Sequence, residues 1–148
     1  MLGIAAPDMP EPHLITIPRF RDHRGSLSVI EWADCFPFIP KRFYYIYDSN
    51  PEARRGGHSH WKEEEIILAL SGSLSVVVDD GFQRTEHLLD RPDMALYIPP
   101  LVWHEVFGLS AGALCAVFAS NPYNKEDYCL DYQQFIRECR KSGPGSLS

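Results

Sequence analysis

Short segments in which apolar and polar residues alternate fill most of the chain, and turn-forming residues separate them. Val, Ile, Tyr and Phe dominate these segments, while Ser71-Gly72 and Asp80-Gly81 lie between neighbouring ones. Period-two segments that recur about every 8–12 residues, with no helical pattern between them, are typical of antiparallel sandwiches and barrels. The sequence therefore predicts an all-β fold. The predicted strands are LITI (14–17), SLSVIEW (26–32), RFYYIYD (42–48), EIILAL (65–70), SLSVVVDD (73–80), MALYIP (94–99), HEVFGL (104–109) and ALCAVFAS (113–120).

Only the C-terminal stretch, 125–141, has a helical pattern. Its apolar and aromatic residues recur at three- and four-residue spacing, at Tyr128, Tyr132, Phe135, Ile136 and Cys139. Asn124 is the expected N-cap of this helix. We therefore divide the chain into an N-terminal extension (1–13), one domain that ends in the short helix (14–141) and a flexible tail (142–148).

Composition excludes several classes of partner. The chain of 148 residues carries a formal net charge of -6, which disfavours nucleic acid and acidic membrane surfaces as partners. No apolar run approaches the ~20 residues that span a bilayer, and the first residues lack the basic start of a secretory signal. The four cysteines form no CxxC pair, so we expect reduced thiols rather than a zinc or redox site. These features predict a cytoplasmic protein.

Two histidines two residues apart are the most informative feature of the chain. Residues i and i+2 of a strand point to the same face, so His58 and His60 project together. If that face lines the interior, two imidazoles with pKa values near 6.5 stand side by side and can pass protons at neutral pH. An HxH pattern alone is also compatible with structural or surface histidines.

The spacing around this pair is that of the two cupin motifs. Glu65 and Gly72 follow the histidines as in the first motif. Pro99-x-Leu101-x-x-His104 resembles the second motif, with Leu101 in place of its usual glycine. The resemblance implies a single-domain cupin, a small antiparallel barrel or jelly roll with a short C-terminal helix.

Two chemistries fit such an interior. His58, His60, Glu65 and His104 have the types and spacing of a three-histidine, one-carboxylate metal site for Mn, Fe, Ni or Zn. Alternatively, the histidines act as acid and base without a metal. The spacing does not distinguish the two.

Longer stretches resemble the nucleoside-diphosphate-sugar 3,4-ketoisomerases. These small bacterial cupins convert dTDP-4-keto-6-deoxyglucose into its 3-keto isomer for deoxyaminosugar synthesis. The resemblance implies the same activity on a dTDP-linked 4-keto-6-deoxyhexose, no cofactor, and a homodimer in which N-terminal strands can be exchanged. The similar stretches are RFRDHRGSLSVIE (19–31), PFIPKRFYYIYD (37–48), RRGGHSH (54–60), LSGSLSVVVDDG (70–81), LYIPPLVWHEV (96–106) and ASNPYNKEDYCLDYQQF (119–135).

The resemblance also implies roles for individual residues. The family's paired catalytic histidines correspond to His58 and His60, its pyrophosphate-binding arginine to Arg24, and its active-site tyrosine to Tyr45. The family usually has Gln where this chain has Glu65. Three roles stay open for that carboxylate: it orients a histidine, binds a metal or faces solvent.

Moving a ketone from C4 to C3 requires one base at carbon and one group that exchanges protons at oxygen, which two histidines can supply. No redox cofactor is required, and no GxGxxG or phosphate-binding loop is present. His104, Trp103 and Tyr97 are candidates for the wall of the sugar pocket, although core packing explains the two aromatic residues equally well.

Three functions therefore stay open at this point. The first is a metal-independent dTDP-4-keto-6-deoxyhexose 3,4-ketoisomerase. The second is a metal-dependent cupin enzyme, and the third is a cupin that binds a sugar nucleotide without catalysis.

Overall fold

Two five-stranded antiparallel sheets make up most of the protein in the computed structural model, which describes residues 10–141. Residues 1–9 of the expected N-terminal extension and the expected tail at 142–148 lie outside the described residues. The first sheet has the strand order β1-β9-β6-β11-β4. Its strands are β1 (His13–Thr16), β4 (Arg42–Ile46), β6 (Glu65–Ser71), β9 (Met94–Ile98) and β11 (Leu114–Ala119).

The second sheet has the order β12-β5-β10-β7-β8. Its strands are β5 (Arg54–His60), β7 (Leu74–Asp79), β8 (Arg84–Leu89), β10 (Trp103–Phe107) and β12 (Tyr128–Cys129). A separate hairpin consists of β2 (Arg19–Asp22) and β3 (Gly25–Ser28). Among residues 10–141 no strand pairing joins the two five-stranded sheets, so they form a sandwich rather than a closed barrel.

The predicted antiparallel fold with a C-terminal helix is confirmed, but two boundaries were wrong. The predicted strand 26–32 ends at Ser28, and a short helix α1 (Trp32–Cys35) follows it. The predicted helix 125–141 begins only at Tyr132, as α2 (Tyr132–Lys141). Asn124 caps a 3-10 turn at Lys125–Asp127, and the intervening Tyr128 and Cys129 pair with His60 and Ser59 of β5. Strand β2 was not predicted.

Strand alternation sends the residues of β6 to two different apolar layers. Ile67 and Ala69 point between the sheets and pack with residues of β7, β9, β10 and β11. Ile66 and Leu68 point outward and are covered by a segment that includes Phe36. Because both faces of β6 are buried, the strand is a continuous apolar run after its first residue, Glu65.

Helix α2 covers the outer face of the second sheet. Phe135 and Cys139 of the helix pack against Trp103 of β10 and Cys129 of β12. Gly81, in the turn between β7 and β8, lies so close to Cys139 that a Cβ atom there would stand 2.5 Å from the cysteine's Cβ. The helix therefore fixes the outer side of the strands whose inner side carries the histidines.

Within residues 10–141, no helix has the length and apolar character needed to cross a membrane.

Candidate active site

A cavity of about 480 Å³ opens at one end of the sandwich, between the two sheets. Strands of both sheets contribute to its wall, and apolar lining comes from residues such as Ile46 and Val117. Its polar lining comes from Arg42, Tyr44, Arg55, His58, Glu65 and His104. This composition, mostly apolar with a few convergent polar groups, is typical of small-molecule sites.

The backbone of β5 brings His58 against His104. His58 and His104 are paired across β5 and β10, and the register shifts immediately after His104. Gly56 has a φ of 84°, and a Cβ atom there would lie 2.7 Å from the carbonyl oxygen of His104. Only glycine allows β5 to approach β10 this closely. The two rings consequently stand edge to face with their centroids 4.8 Å apart.

His58 and His60 lie side by side as predicted, but at different depths. Their ring centroids are 4.9 Å apart. His58 lines the cavity, whereas His60 is only 3% exposed and is not part of the lining. The ring of Tyr128 packs against both, with centroid distances of 4.8 Å to His58 and 4.4 Å to His60. Of the two histidines, His58 is therefore the one that a ligand in the cavity can touch directly.

His58 is held in its neutral form. Burial, followed by the neighbouring charges of His104 and His60, lowers the pKa of His58 to about 4. Its Nε2 atom is buried and has no hydrogen-bond partner among the described residues. A neutral imidazole that lines a cavity and has an unpartnered ring nitrogen can act as a general base.

Glu65 lies at the centre of the cluster and is 1% exposed, so the expectation that it might face solvent was wrong. Its Oε2 accepts a hydrogen bond of 2.9 Å from the hydroxyl of Tyr44. Its Oε1 lies 2.6 Å from His60 Nε2 and 3.8 Å from His104 Nε2. Burial alone would raise the pKa of Glu65, but the contact with His60 and the charges of both histidines outweigh it and lower the pKa to about 2.

Two further carboxylates lie beside His60. Glu63 Oε2 is 3.4 Å from His60 Nε2, and Asp127 Oδ2 is 3.6 Å from His60 Nδ1. Burial raises the pKa of Glu63 to about 7, although the nearby charges of His60 and Arg42 oppose this shift. Asp127 is fixed by backbone amides of the loop before β6, because its carboxylate accepts hydrogen bonds from the N–H groups of residues 62 and 63. The ring of His60 is therefore surrounded by carboxylates on both of its nitrogen atoms.

Tyr44, and not Tyr45, points into the interior. Arg42, Tyr44 and Ile46 alternate with exposed residues along β4. Tyr45 also lines the cavity, but it is 56% exposed and its ring stacks on that of Tyr47. Its expected active-site role stays a prediction, and Tyr44 is a second candidate for it. The direction of the two side chains could not be predicted from the sequence, since both faces of β4 carry aromatic residues.

Arg24 and Trp103 do not line the cavity. Arg24 lies in the turn between β2 and β3, where its side chain is 79% exposed and forms an ion pair with Asp22 at 2.6 Å. Trp103 points to the outer face of β10 and packs against Tyr132 and Phe135 of α2. Because neighbouring residues on a strand face opposite ways, an inward His104 requires an outward Trp103. Trp103 thus belongs to the core beneath the helix.

Two cations that the sequence analysis did not single out line the cavity, Arg42 and Arg55. Arg42 donates a hydrogen bond of 3.2 Å to Glu63 through Nη2, while its buried Nη1 has no partner among the described residues. The sequence shows an arginine in each of the segments RFYYIYD and RRGGHSH, but it does not show that these side chains line a cavity.

Leu101 has the backbone conformation expected of the glycine that it replaces. Its φ is 59°, in the left-handed region that glycine adopts without strain. Its amide donates a hydrogen bond of 2.8 Å to the carbonyl oxygen of His60. The turn before β10 is therefore preserved, and it ties the two histidine-bearing strands together.

Four side chains that could bind a metal ion also lie close together. His58, His60, Glu65 and His104 each offer one ligand atom, and the four atoms lie within 4.8 Å of one another. These ligand types suit Mn, Fe, Ni or Zn. Two ligands of one such ion stand about 3 Å or more apart. His60 and Glu65 are closer than this, at 2.6 Å, so they would have to separate to admit an ion.

The chain matches known proteins along most of its length. The family model described as "FdtA: WxcM-like, C-terminal" matches residues 10–140. The TDP-4-oxo-6-deoxy-alpha-D-glucose-3,4-oxoisomerase of Aneurinibacillus thermoaerophilus is 41% identical over 131 residues, which make up 88% of this chain and 94% of that protein.

Two solved structures are similar in both sequence and fold. A mutant of the 3,4-ketoisomerase QdtA from Thermoanaerobacterium thermosaccharolyticum, in complex with TDP-4-keto-6-deoxyglucose, is 33% identical with a TM-score of 0.86, over 90% of this chain and 96% of that one. The WlaRB TDP-quinovose 3,4-ketoisomerase from Campylobacter jejuni is 36% identical with a TM-score of 0.82, over 87% of this chain and 99% of that one.

Fold and cavity together define an antiparallel β-sandwich of the cupin type with a histidine-lined site. The matches with known proteins identify its family. The chain belongs to the FdtA family, whose members similar to it are sugar 3,4-ketoisomerases, and the resemblance read from the sequence is confirmed.

Proposed function

We propose that the protein isomerises a dTDP-linked 4-keto-6-deoxyhexose to its 3-keto isomer, in deoxysugar biosynthesis. The observation that carries this proposal is the neutral ring of His58, which lines a cavity of about 480 Å³ and whose Nε2 has no hydrogen-bond partner among the described residues. The relatives reported above act on, or were solved with, TDP-linked sugars of this kind.

His58 is the base at carbon in this proposal. It removes the proton from C3, which the C4 carbonyl acidifies, and the electron pair of the broken C–H bond forms the C3=C4 bond of an enediolate. It then returns the proton to C4 as the carbonyl re-forms at C3. Its position on the cavity wall and its lowered pKa support this role, since a base must be unprotonated before it reacts.

The proton on oxygen moves from O3 to O4 in the same reaction. Tyr44 carries the hydroxyl that we assign to this exchange, because it is half-buried and lines the same cavity as His58. His60 takes part from behind the wall, where its Nε2 lies 2.6 Å from Glu65 and 3.4 Å from Glu63. A polar cluster held in place in this way can stabilise the negative charge that develops on the substrate.

The diphosphate of the substrate requires cations near the cavity mouth. Arg42 and Arg55 meet this requirement within the chain, and Arg42 has a buried Nη1 without a partner among residues 10–141. Guanidinium groups bind phosphate oxygens in a bidentate manner. We therefore propose that these two residues bind the diphosphate and that Arg24 contacts it from a second subunit.

A homodimer explains the position of Arg24 and the exposed apolar residues around it. The residues of the β2–β3 hairpin are exposed, including Phe20 and Leu27 at 61% each. Strand β4 forms an edge of its sheet and exposes Phe43 and Tyr45. Edge strands of this kind need a cover. The hairpin of a second copy is the cover that we propose.

The four free cysteines suit a reducing compartment, and we propose the cytoplasm as the site of action.

The decisive experiment is incubation of the purified protein with dTDP-4-keto-6-deoxyglucose, followed by NMR of the sugar. We expect a 3-keto product and, in D2O, deuterium at C4. A protein that binds dTDP but leaves the sugar unchanged would be a non-catalytic sugar-nucleotide binder, and the proposal would fail.

A metal-dependent reaction is the second candidate, because one ligand atom from each of His58, His60, Glu65 and His104 converges within 4.8 Å and His58 Nε2 lacks a hydrogen-bond partner among the described residues. These four residues would hold the ion, which would supply a Lewis acid for the enediolate oxygens. Metal analysis of the purified protein and isomerase assays with a chelator distinguish the candidates. Loss of activity with the chelator and recovery with one added metal would favour the second.

A further inference from the structure

We propose that Glu65 is a positioning residue that joins the tyrosine at the substrate to the histidine behind the cavity wall, so that proton exchange at the sugar oxygens depends on it. This inference rests on the proposed isomerase function and extends it to a carboxylate that occupies the place of the family's usual Gln.

Glu65 contacts both groups directly. Its Oε2 accepts the hydrogen bond of the Tyr44 hydroxyl at 2.9 Å, and its Oε1 lies 2.6 Å from His60 Nε2. Tyr44 belongs to the first sheet and His60 to the second. Glu65 is the first residue of β6, and it therefore bridges the two sheets beside the cavity.

The bridge orients the tyrosine. Since the hydroxyl hydrogen of Tyr44 points at Glu65, the lone pairs of its oxygen are left to face the cavity, where they can accept a hydrogen bond from the sugar. A neutral amide in place of Glu65 has both a donor and an acceptor end, so it holds the hydroxyl less strictly. Charge-assisted hydrogen bonds are also roughly twice as strong as neutral ones.

The exchange at oxygen then proceeds through Tyr44. The O3–H bond of the enediolate breaks and its proton passes to the Tyr44 oxygen, while the proton of Tyr44 passes to Glu65 Oε2. The same path in reverse delivers a proton to O4. The sugar loses one proton from O3 and gains one at O4, so the step needs no oxidant, reductant or further reactant. Throughout, the contact of Oε1 with His60 Nε2 at 2.6 Å holds the carboxylate in place, with Oε2 towards Tyr44.

The test is Glu65→Gln, assayed in D2O by NMR for two rates at once. One is the exchange of hydrogen at C3 of unreacted substrate, which needs only the base at carbon. The other is formation of the 3-keto isomer, which also needs proton exchange at oxygen. We expect kcat for isomerisation to fall by about 10-fold or more, with KM for the sugar nucleotide within about twofold and a smaller loss of C3 exchange.

Glu64→Gln is the matched control. This neighbouring carboxylate bonds to the hydroxyl of Tyr97 on the outer layer of the first sheet, away from the cavity. It should leave both rates unchanged. Should Glu65→Gln fail to fold, Tyr44→Phe provides the same measurement, because it removes the hydroxyl and leaves the carboxylate in place.

A second test uses coupling. If Glu65 acts through Tyr44, the double variant Glu65→Gln/Tyr44→Phe isomerises no more slowly than the worse single variant, because the two residues form one path. The inference would be overturned if the losses of the two single variants multiplied in the double variant. It would also be overturned if Glu65→Gln lost C3 exchange and isomerisation equally, or if it kept full activity. Absence of isomerase activity in the wild-type protein would instead overturn the proposed function, so the two failures can be distinguished.

Discussion

His58 and His104 face each other across β5 and β10, with their ring centroids 4.8 Å apart at the point where the two strands lose register. Burial, followed by the charges of His104 and His60, lowers the pKa of His58 to about 4. Burial also lowers the pKa of His104, with a smaller contribution from the charge of His60. Burial of this pair beside the cavity accounts for a base that is ready at neutral pH.

The pKa of His58 predicts a change in the pH dependence of stability. Its folded-state pKa of about 4 lies below the usual value, so the folded protein loses stability as the pH falls from about 6.5 towards 4. Glu63 has the opposite effect: because its pKa is raised to about 7, it makes the folded protein more stable as the pH falls over much of the same range. In His58→Asn the loss caused by His58 disappears, while the contributions of other groups stay. Between pH 7 and pH 5, its free energy of unfolding should therefore rise relative to wild type by roughly 2 kcal/mol. Urea unfolding at both pH values measures this, and a parallel pH trend in both proteins would contradict it.

His58→Asn should abolish isomerisation and hydrogen exchange at C3 together. The expected loss is about 10²–10⁴-fold, because the variant has no base at carbon. Binding of dTDP, measured by calorimetry, should change little, since the proposed diphosphate ligands are untouched. His87→Asn, on β8 and outside the cavity, is the control. Retention of C3 exchange in His58→Asn would remove this residue from the mechanism.

Tyr44→Phe and Tyr45→Phe form a matched pair on one strand. The first removes a hydroxyl that bonds to Glu65 inside the cavity, and the second removes a hydroxyl from a ring that is 56% exposed. We expect a fall in kcat of about 10-fold or more for Tyr44→Phe and less than about twofold for Tyr45→Phe. The opposite order would return the active-site role to Tyr45.

Arg24→Ala and His58→Asn should complement each other if Arg24 acts across a dimer. Mixed dimers of the two inactive variants contain one intact site, made of His58 from one chain and Arg24 from the other. Refolding the variants together in equal amounts should therefore restore about a quarter of wild-type activity. If Arg24 acts within its own chain, every site carries a lesion and the mixture stays inactive.

Trp103→Phe tests whether this residue is structural. Trp103 is 6% exposed and packs against the rings of Tyr132 and Phe135. Its replacement should lower the free energy of unfolding by about 1–2 kcal/mol through imperfect packing beneath α2. KM for the sugar nucleotide should stay unchanged in the folded enzyme. A higher KM with unchanged thermal stability would place Trp103 at the substrate instead.

Alternation and turn signals predicted most strands, because burial of one face imposes a period of two on the sequence. The His58/His60 pair and its closeness to Glu65 and His104 followed from motif spacing. The sequence did not reveal which of two aromatic residues on β4 faces inward, since both faces of that strand carry tyrosine or phenylalanine.

Long-range contacts explain the other differences. Tyr128 and Cys129 have a helical pattern in sequence, but they pair with β5 instead and thereby place Tyr128 against the histidines. The carboxylates of Glu63 and Asp127 meet at His60 from segments more than sixty positions apart. No local pattern encodes such a meeting.

The segment between β11 and α2 carries a practical consequence for anyone who engineers the chain. It contributes the ring of Tyr128 and the carboxylate of Asp127, so a fusion joint or truncation placed there would remove two neighbours of the histidines and leave both edges of the first sheet intact. Such a shortened product could express well and still be inert, and turnover rather than yield should decide whether a redesigned C-terminus is acceptable.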